Sequence, residues 1–184
     1  MTIEQPLIKD EYRYCQRCGA KNGLVGVSPF RCPECHFSQY FGPVAAVGAL
    51  IVNQQNQLLM VRRVQNPGQG LWGLPGGFVD PDESAEQALA REIAEETQLV
   101  MESCTLLMTG PNRYHHSGIT ACVLDLFFVC TIQWPAEIVL AQDELDRYEW
   151  TRPTPQRLGE MAFDSNRRAL QYWLDLNQAG QISC

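Results

Sequence analysis

The pattern of apolar and polar positions predicts several strands before it predicts any helix. Two apolar runs, residues 44–52 and 57–63, flank the polar turn 53–56, which is typical of a hairpin of two mostly buried strands. Further strands are expected in three later apolar runs: 104–109, 119–133 and 147–150.

Two other segments repeat at helical spacing. Ser84, with Gln87 three residues later, forms a capping-box pattern that begins a helix running to Thr97 or Gln98. A second helix is expected over residues 165–177, where apolar residues recur on one face: Ala169, Leu170, Trp173 and Leu176. Mixed strands with few helices between them favour an α+β or α/β sandwich over a regularly alternating parallel sheet.

Four cysteines near the N-terminus are spaced in two pairs. Cys15, Cys18, Cys32 and Cys35 form C-x2-C-x13-C-x2-C, which is close to the spacing in which two thiolate pairs complete a tetrahedral zinc site. Two disulfides or free thiols are the alternative. We therefore expect a structural Zn²⁺ ribbon over residues 1–42 and a second domain over residues 43–184.

Charge and apolar run length narrow the classes of function. The 184 residues include 14 basic and 21 acidic side chains, for a formal net charge of -7, so broad electrostatic attachment to nucleic acid or to an anionic membrane has no support. The longest apolar run, 44–52, is about half of the roughly 20 residues that a membrane helix needs. We expect a cytoplasmic protein that binds a small molecule and neither a membrane nor nucleic acid; a homodimer remains open.

The helix predicted after Ser84 carries three carboxylates on one side. Glu92, Glu95 and Glu96 occupy positions i, i+3 and i+4, where like charges repel by a few tenths of a kcal/mol per pair. A hard cation such as Mg²⁺ or Mn²⁺ would offset that repulsion. A solvated acidic face is the alternative, and the Gly-rich segment that precedes the helix favours the metal site.

Residues 77–99 resemble the signature of the Nudix hydrolase family. The signature is G-x5-E-x7-R-E-U-x-E-E-x-G-U, where U is apolar, and the matching residues are Gly77, Glu83, Arg91, Glu92, Ile93, Glu95, Glu96 and Leu99. Gln98 replaces the second glycine, which resembles a helix C-cap, so Gln98 should lower stability if its backbone must adopt a positive φ. The resemblance implies an α/β/α sandwich with a mixed sheet over about residues 43–178.

The resemblance also implies roles for these residues. The ligands of catalytic Mg²⁺ or Mn²⁺ would be the carbonyl of Gly76 and the carboxylates of Glu92, Glu95 and Glu96. Glu83 and Arg91 would form a pair that orients the carboxylates, for which a bidentate contact is well suited. The family hydrolyses nucleoside diphosphates linked to another moiety, and metal ions can activate the attacking water and shield the diphosphate.

The general base stays open between two places in the chain. Family members use either a glutamate of the signature or an acidic residue on a later loop. Here the candidates are Glu92 and the pair Asp143 and Glu144, and a solvated turn is the alternative reading of that pair.

A four-cysteine ribbon before a Nudix domain resembles the NADH pyrophosphatases and the zinc-ribbon FAD or ADP-ribose pyrophosphatases. The first group carries S-Q-P-W-P-F-P-x-S after the signature, whereas residues 109–122 here read TGPNRYHHSGITAC. We therefore expect ADP-ribose or FAD as the substrate and AMP as a product, with NADH pyrophosphatase activity as the alternative.

The residues that select the substrate are harder to assign. Phe41, Trp72 and Tyr114 are candidates for stacking on an adenine or flavin ring, although aromatic residues more often pack in a core. His115 and His116 are interpreted as an exposed loop pair outside the site. A non-catalytic nucleotide sensor or nucleic-acid-binding module is the competing class, and such a module is expected to lose one of the three signature glutamates, which are all present.

Overall fold

The computed structural model describes residues 5–134 and 136–179, so Cys184 lies outside the described residues. The chain forms two compact units. The first comprises Met1–Val44 and Arg113–Val123, and the second comprises Ala45–Asn112 and Leu124–Cys184. The first unit therefore includes Arg113–Val123, which the division expected between residues 42 and 43 assigns to the second domain.

The first unit has little regular structure. A 3-10 helix spans Ile8–Glu11, and the strands β1 (Phe30–Arg31) and β2 (Ser38–Gln39) pair antiparallel. Its buried core is small: Tyr12, Cys15, Phe30 and Cys32. A core of this size supplies little hydrophobic stabilisation, so we expect the unit to need a metal or another cross-link.

The longer strands form two three-stranded sheets. In one, β3 (Val44–Ile51) neighbours β7 (Ile119–Ile132), which neighbours β6 (Met101–His116). In the other, β4 (Leu58–Arg63) lies between β5 (Trp72–Gly73) and β8 (Leu145–Thr151) and is antiparallel to both.

Three helices accompany these sheets: α1 (Ala85–Thr97), α2 (Pro155–Gly159) and α3 (Asp164–Gln178). Successive residues of a strand point to opposite faces of its sheet, and β4 is buried on both faces. Thus Leu59 and Val61 pack with the apolar stripe of α1, whereas Leu58 and Met60 pack with that of α3. This arrangement confirms the expected α/β sandwich, and no helix of the described residues is long and apolar enough to cross a membrane.

The predicted pairing of 44–52 with 57–63 is wrong, although the turn between them is present. The Asn53 amide donates to the Gln57 carbonyl at 2.9 Å, and an isolated bridge joins Val52 to Leu58. Beyond that bridge, β3 and β4 lie in different sheets. An apolar run shows that a strand is buried but does not identify its partner, which tertiary packing selects.

Strand β6 is much longer than the predicted 104–109. It runs to His116, so His115 and His116 are exposed as expected but lie in a strand and not in a loop. β6 is an edge strand of its sheet and carries many exposed side chains, so the run of apolar residues predicted only part of this strand. The predicted strands at 119–133 and 147–150 and the helix at 165–177 are confirmed to within about two residues.

Candidate active site

Two glycines bring the segment before α1 into close contact with β3. The amide of Val47 donates to the Gly77 carbonyl at 2.8 Å. Gly76 has φ 142°, and a Cβ atom there would overlap the Val47 carbonyl. A Cβ atom on Gly77 would overlap the carboxylate of Glu92. Gly76 therefore requires glycine, because its backbone passes directly beside β3, whereas a side chain at Gly77 would have to displace the Glu92 carboxylate.

Helix α1 begins and ends as its local sequence dictates. The Ser84 amide donates to Gln87 Oε1 at 2.8 Å, and the Gln87 amide donates to Ser84 Oγ at 3.3 Å, which confirms the capping box. The helix ends at Thr97, and its C-cap residue Gln98 has a left-handed backbone with φ 59°. The residue that replaces the family's glycine thus adopts the strained conformation that glycine tolerates best.

Glu83 and Arg91 form a bidentate ion pair between the leading loop and the helix. Arg91 Nε lies 2.8 Å from Glu83 Oε1, and Arg91 Nη2 lies 3.0 Å from Glu83 Oε2. The loop is held further because Asp80 donates its amide to Glu83 and Arg91 donates to the Phe78 carbonyl. The hydrogen bonds from Arg91 lower the pKa of Glu83, so this carboxyl stays ionised.

The same guanidinium also contacts two of the three clustered glutamates. Arg91 Nη1 donates to Glu92 Oε1 at 2.9 Å and to Glu95 Oε2 at 3.1 Å. Arg91 therefore partly neutralises the carboxylate face and fixes the direction of the Glu92 side chain. The Glu95 side chain is mostly exposed and freer to exchange this contact for another cation.

Glu96 is the most deeply buried member of the cluster, at 5% exposure. Its Oε2 accepts a hydrogen bond from the Gly76 amide at 2.9 Å. Burial raises the pKa of Glu96 to about 8, and the charges of Glu92 and Glu144 add to that rise against the opposing Gly76 bond. Burial also raises the pKa of Glu92. Both carboxyls therefore lie where added positive charge would be strongly favourable.

The turn before β8 brings a fourth carboxylate toward this cluster. The Ala141 amide donates to the Glu96 carbonyl at 3.0 Å, and the Val64 amide donates to the Glu144 carbonyl at 2.8 Å. These bonds attach the turn to the end of α1 and to the end of β4. Glu144 is exposed, and its charge contributes to the raised pKa of both Glu92 and Glu96.

Sequence reasoning missed Arg63, which supplies positive charge near Glu96. The charge of Arg63 opposes the rise in the pKa of Glu96. Arg63 Nε donates to the Pro67 carbonyl at 2.9 Å, and the guanidinium lies 5.2 Å from the centroid of the Phe163 ring. The two consecutive arginines at the end of β4 were the available signal, but the sequence did not show which one faces the glutamates.

The carboxylate cluster suits a hard divalent cation by its chemistry. Its donors are oxygens, Glu96 is buried and Glu92 is partly buried, and burial together with the charges of neighbouring carboxylates raises the pKa of both. Within the described residues, only the four ribbon cysteines bring three or more possible ligand atoms within 4.8 Å of one another. The glutamate oxygens are instead held apart by Arg91 and Gly76, so metal binding requires these side chains to change partners.

The ribbon cysteines gather at one point of the first unit. The Sγ atoms of Cys15 and Cys35 lie 3.7 Å apart and those of Cys18 and Cys32 lie 3.6 Å apart, well beyond the roughly 2.05 Å of a disulfide bond. Burial raises the pKa of Cys15, but amide donors from Cys18 and Arg17 outweigh it and bring the value to about 7. Four thiols in this arrangement suit tetrahedral Zn²⁺.

The three aromatic candidates are placed differently. Phe41 packs edge-on against Tyr12 in the first unit, and Tyr114 lies 6.3 Å from the His116 ring. Trp72 is only 7% exposed in the second unit, and the guanidinium of Arg157 lies 4.4 Å from its ring centroid. Stacking of Trp72 on a ligand therefore requires Arg157 to leave that ring, and substrate contacts by all three stay a prediction.

Comparison with known proteins identifies the family. The family model described as NUDIX domain matches residues 42–178. The ADP-ribose pyrophosphatase of Methanocaldococcus jannaschii is 43% identical over 89 residues, which are 47% of this chain and 52% of that protein. The chain thus spans about half the length of the curated relatives it matches.

Two solved structures have a similar fold. The Nudix domain of Shewanella oneidensis NrtR, solved in complex with ADP ribose, has a TM-score of 0.58 and 26% identity, covering 73% of this chain and 88% of that one. A Nudix hydrolase from Nitrosomonas europaea shares the fold, with a TM-score of 0.65 and 22% identity over 93% of this chain and 95% of that one. With the family model covering most of the chain and the signature side chains assembled on α1 and its leading loop, the protein belongs to the Nudix family.

Proposed function

We propose that the protein is a divalent-metal-dependent pyrophosphatase that cleaves a nucleoside diphosphate linked to another moiety, namely ADP-ribose or FAD, and releases AMP. The observation that carries this proposal is the Arg91 network, which holds Glu83, Glu92 and Glu95 together beside the buried Glu96. The ADP-ribose pyrophosphatase relative and the NrtR domain bound to ADP ribose support the choice of substrate.

Each residue of the cluster has a separate task in this proposal. Glu92, Glu95, Glu96 and the carbonyl of Gly76 would hold Mg²⁺ or Mn²⁺, which when bound shields the diphosphate and activates water. Arg91 orients Glu92 through the 2.9 Å contact, and Glu83 holds Arg91 in place from the loop. This pair fixes the direction of Glu92 before the substrate arrives, whereas Glu95 and Glu96 would exchange their contacts with Arg91 and Gly76 when the cation binds.

We assign the general base to Glu144 in preference to Glu92. Glu92 is a proposed metal ligand, and its Oε1 already accepts a hydrogen bond from Arg91, so it has less capacity to bind and deprotonate a water molecule. The Glu144 side chain, in contrast, has no hydrogen bond or ion pair with any described residue, and it is exposed beside the cluster. It is therefore free to accept the proton of the attacking water.

The assignment of Glu144 is tested by the neighbouring acid as a matched control. Glu144→Gln should lower kcat by about 10²–10⁴-fold, as is usual when a general base is removed. Asp143→Asn, one residue earlier on the same exposed turn, should leave kcat near the wild-type value. Equal losses in the two variants, or a loss only in Asp143→Asn, would overturn the assignment.

The substrate is tested by measuring kcat/KM for a panel with Mg²⁺ or Mn²⁺ and identifying the products by chromatography. The panel contains ADP-ribose, FAD, NADH, diadenosine polyphosphates and nucleoside triphosphates. We expect the highest kcat/KM for ADP-ribose or FAD, with AMP as a product. A preference for NADH or for a triphosphate would overturn the substrate choice, and tight binding of ADP-ribose without hydrolysis would identify a sensor.

A further inference from the structure

The first unit contains a cavity of about 280 Å³ that the proposed activity does not use. All of its lining residues belong to the first unit, and they come from three places: the 3-10 helix with the residues that flank it, β2 with the chain that leaves it, and the start of β7. Small-molecule sites commonly have about 300–1,000 Å³. This cavity therefore has room for one ring system and not for a whole dinucleotide.

Aromatic side chains form much of the cavity wall. Tyr12, Tyr40 and Phe41 line it. The rings of Tyr12 and Phe41 are fixed by their edge-on contact, with centroids 4.9 Å apart, whereas Tyr40 is 67% exposed at the surface. Such a wall favours a flat aromatic ligand, because stacking on a preformed ring costs little conformational entropy.

The polar groups of the cavity point to a ligand with both donors and acceptors on its edge. Gln16 and Gln39 line the cavity. Gln39 donates its Nε2 to the Tyr40 carbonyl at 2.9 Å, and the Gln16 side chain makes no hydrogen bond with any described residue. Amide side chains offer a donor and an acceptor together, which is the pattern that a nucleobase edge complements.

The lining offers no carboxylate to a cationic ligand. Lys9 is the charged residue of the lining, and no carboxylate accompanies it there. Lys9 Nζ donates to the Gly26 carbonyl at 2.8 Å and lies 3.5 Å from Asp10 Oδ1, so the cavity is close to neutral. A neutral nucleoside or an anionic nucleotide fits this environment.

We propose that this cavity is a second ligand site that takes the base of a nucleoside or nucleotide. The signature carboxylates all lie in the second unit, so this site is lined by a different set of residues. The first unit would then be a nucleotide-binding module in addition to its zinc-held structure, whether or not the proposed hydrolysis is correct.

The test is an NMR titration of the zinc-loaded full chain with adenosine, which has a base but no pyrophosphate for a metal site to hold. Chemical shifts should change at the backbone amides of Leu7, Gly42 and Cys122, which line the cavity. Ribose, which lacks the base, should leave these amides unchanged. Absence of shifts at these amides with adenosine, or equal shifts with ribose, would overturn the proposal.

Two variants connect the binding to the cavity wall. Tyr40→Ala should weaken adenosine binding by about 5- to 150-fold, since stacking on an aromatic side chain is worth about 1–3 kcal/mol per base. Tyr14→Ala is the matched control, because Tyr14 is 61% exposed in the same unit and does not line the cavity. Gln39→Met, which keeps the length but removes the amide, should also weaken binding. Unchanged affinity in both Tyr40→Ala and Gln39→Met contradicts the site.

Discussion

Replacing Glu96 by Gln should stabilise the Mg²⁺-free protein at alkaline pH while removing its response to the metal. The amide keeps the shape of the side chain and an oxygen that can accept the 2.9 Å bond from Gly76. It removes a negative charge that is buried beside the charges of Glu92 and Glu144. In the wild-type protein without a divalent cation, that charge has no adequate partner once Glu96 ionises.

The size of the effect follows from the pKa of Glu96, which rises from its ordinary value of 4.5 to about 8 in the folded protein. The folded state therefore binds more protons than the unfolded state between these two values, so wild-type stability falls as the pH rises through that window. Each tenfold change in an acid constant is worth about 1.4 kcal/mol, so the loss in free energy of unfolding across this pH window is on the order of a few kcal/mol. At about 2–4 °C per kcal/mol, the Tm difference above pH 8 should be on the order of 5–10 °C.

The assay is a set of thermal unfolding curves from pH 4 to pH 9 in buffer freed of Mg²⁺ by dialysis. Chelators are avoided because they would also remove zinc. Glu95→Gln is the control, since this neighbouring carboxylate is mostly exposed and its loss should leave the pH dependence unchanged. Added Mg²⁺ should raise the Tm of the wild type and not that of Glu96→Gln. If the two proteins keep the same Tm difference from pH 4 to pH 9, the reasoning about Glu96 is wrong.

Three further predictions concern the ribbon and the backbone of the signature. Elemental analysis should find about one zinc per chain. Changing Cys32 and Cys35 together to Ser should unfold the first unit, while the protein retains most of its secondary structure by circular dichroism. Two disulfides and no zinc in reduced protein would contradict this prediction. Gln98→Gly should raise the free energy of unfolding by about 1 kcal/mol in urea, because Gln98 has φ 59°; an unchanged midpoint argues against strain there. Gly77→Ala should displace the Glu92 carboxylate and lower kcat on the order of 10²-fold. Gly23→Ala is the control, because a Cβ atom there meets nothing within 4 Å. Equal kcat in both variants would show that the close approach of Gly77 to Glu92 does not matter for catalysis.

The elements that the sequence predicted best are those whose causes are local. The capping box at Ser84 and Gln87 and the spacing of the glutamates lie within a few residues of one another, so helix α1 was predicted almost to the residue. The clustering of the four ribbon cysteines was also predicted correctly, because zinc-ligand spacing is itself a sequence pattern.

The features that sequence reasoning missed depend on contacts between distant segments. Glu144 was a base candidate only through the family resemblance, because nothing near it in the sequence indicates the hydrogen bond from Ala141 to the end of α1. The inclusion of Arg113–Val123 in the first unit is another long-range result. The amide of Thr120 in that segment donates to the Pro6 carbonyl at 2.8 Å, more than a hundred residues earlier in the chain.

The central claim is that the clustered glutamates form a metal-dependent hydrolytic site, and the most direct test is AMP release from ADP-ribose and FAD as Mg²⁺ is titrated. The wild type should release AMP at a rate that rises with Mg²⁺ and saturates, with no release in its absence. Glu95→Gln should lower that rate by orders of magnitude while the protein remains folded. AMP release that is independent of Mg²⁺, or that survives Glu95→Gln at the wild-type rate, would contradict the account.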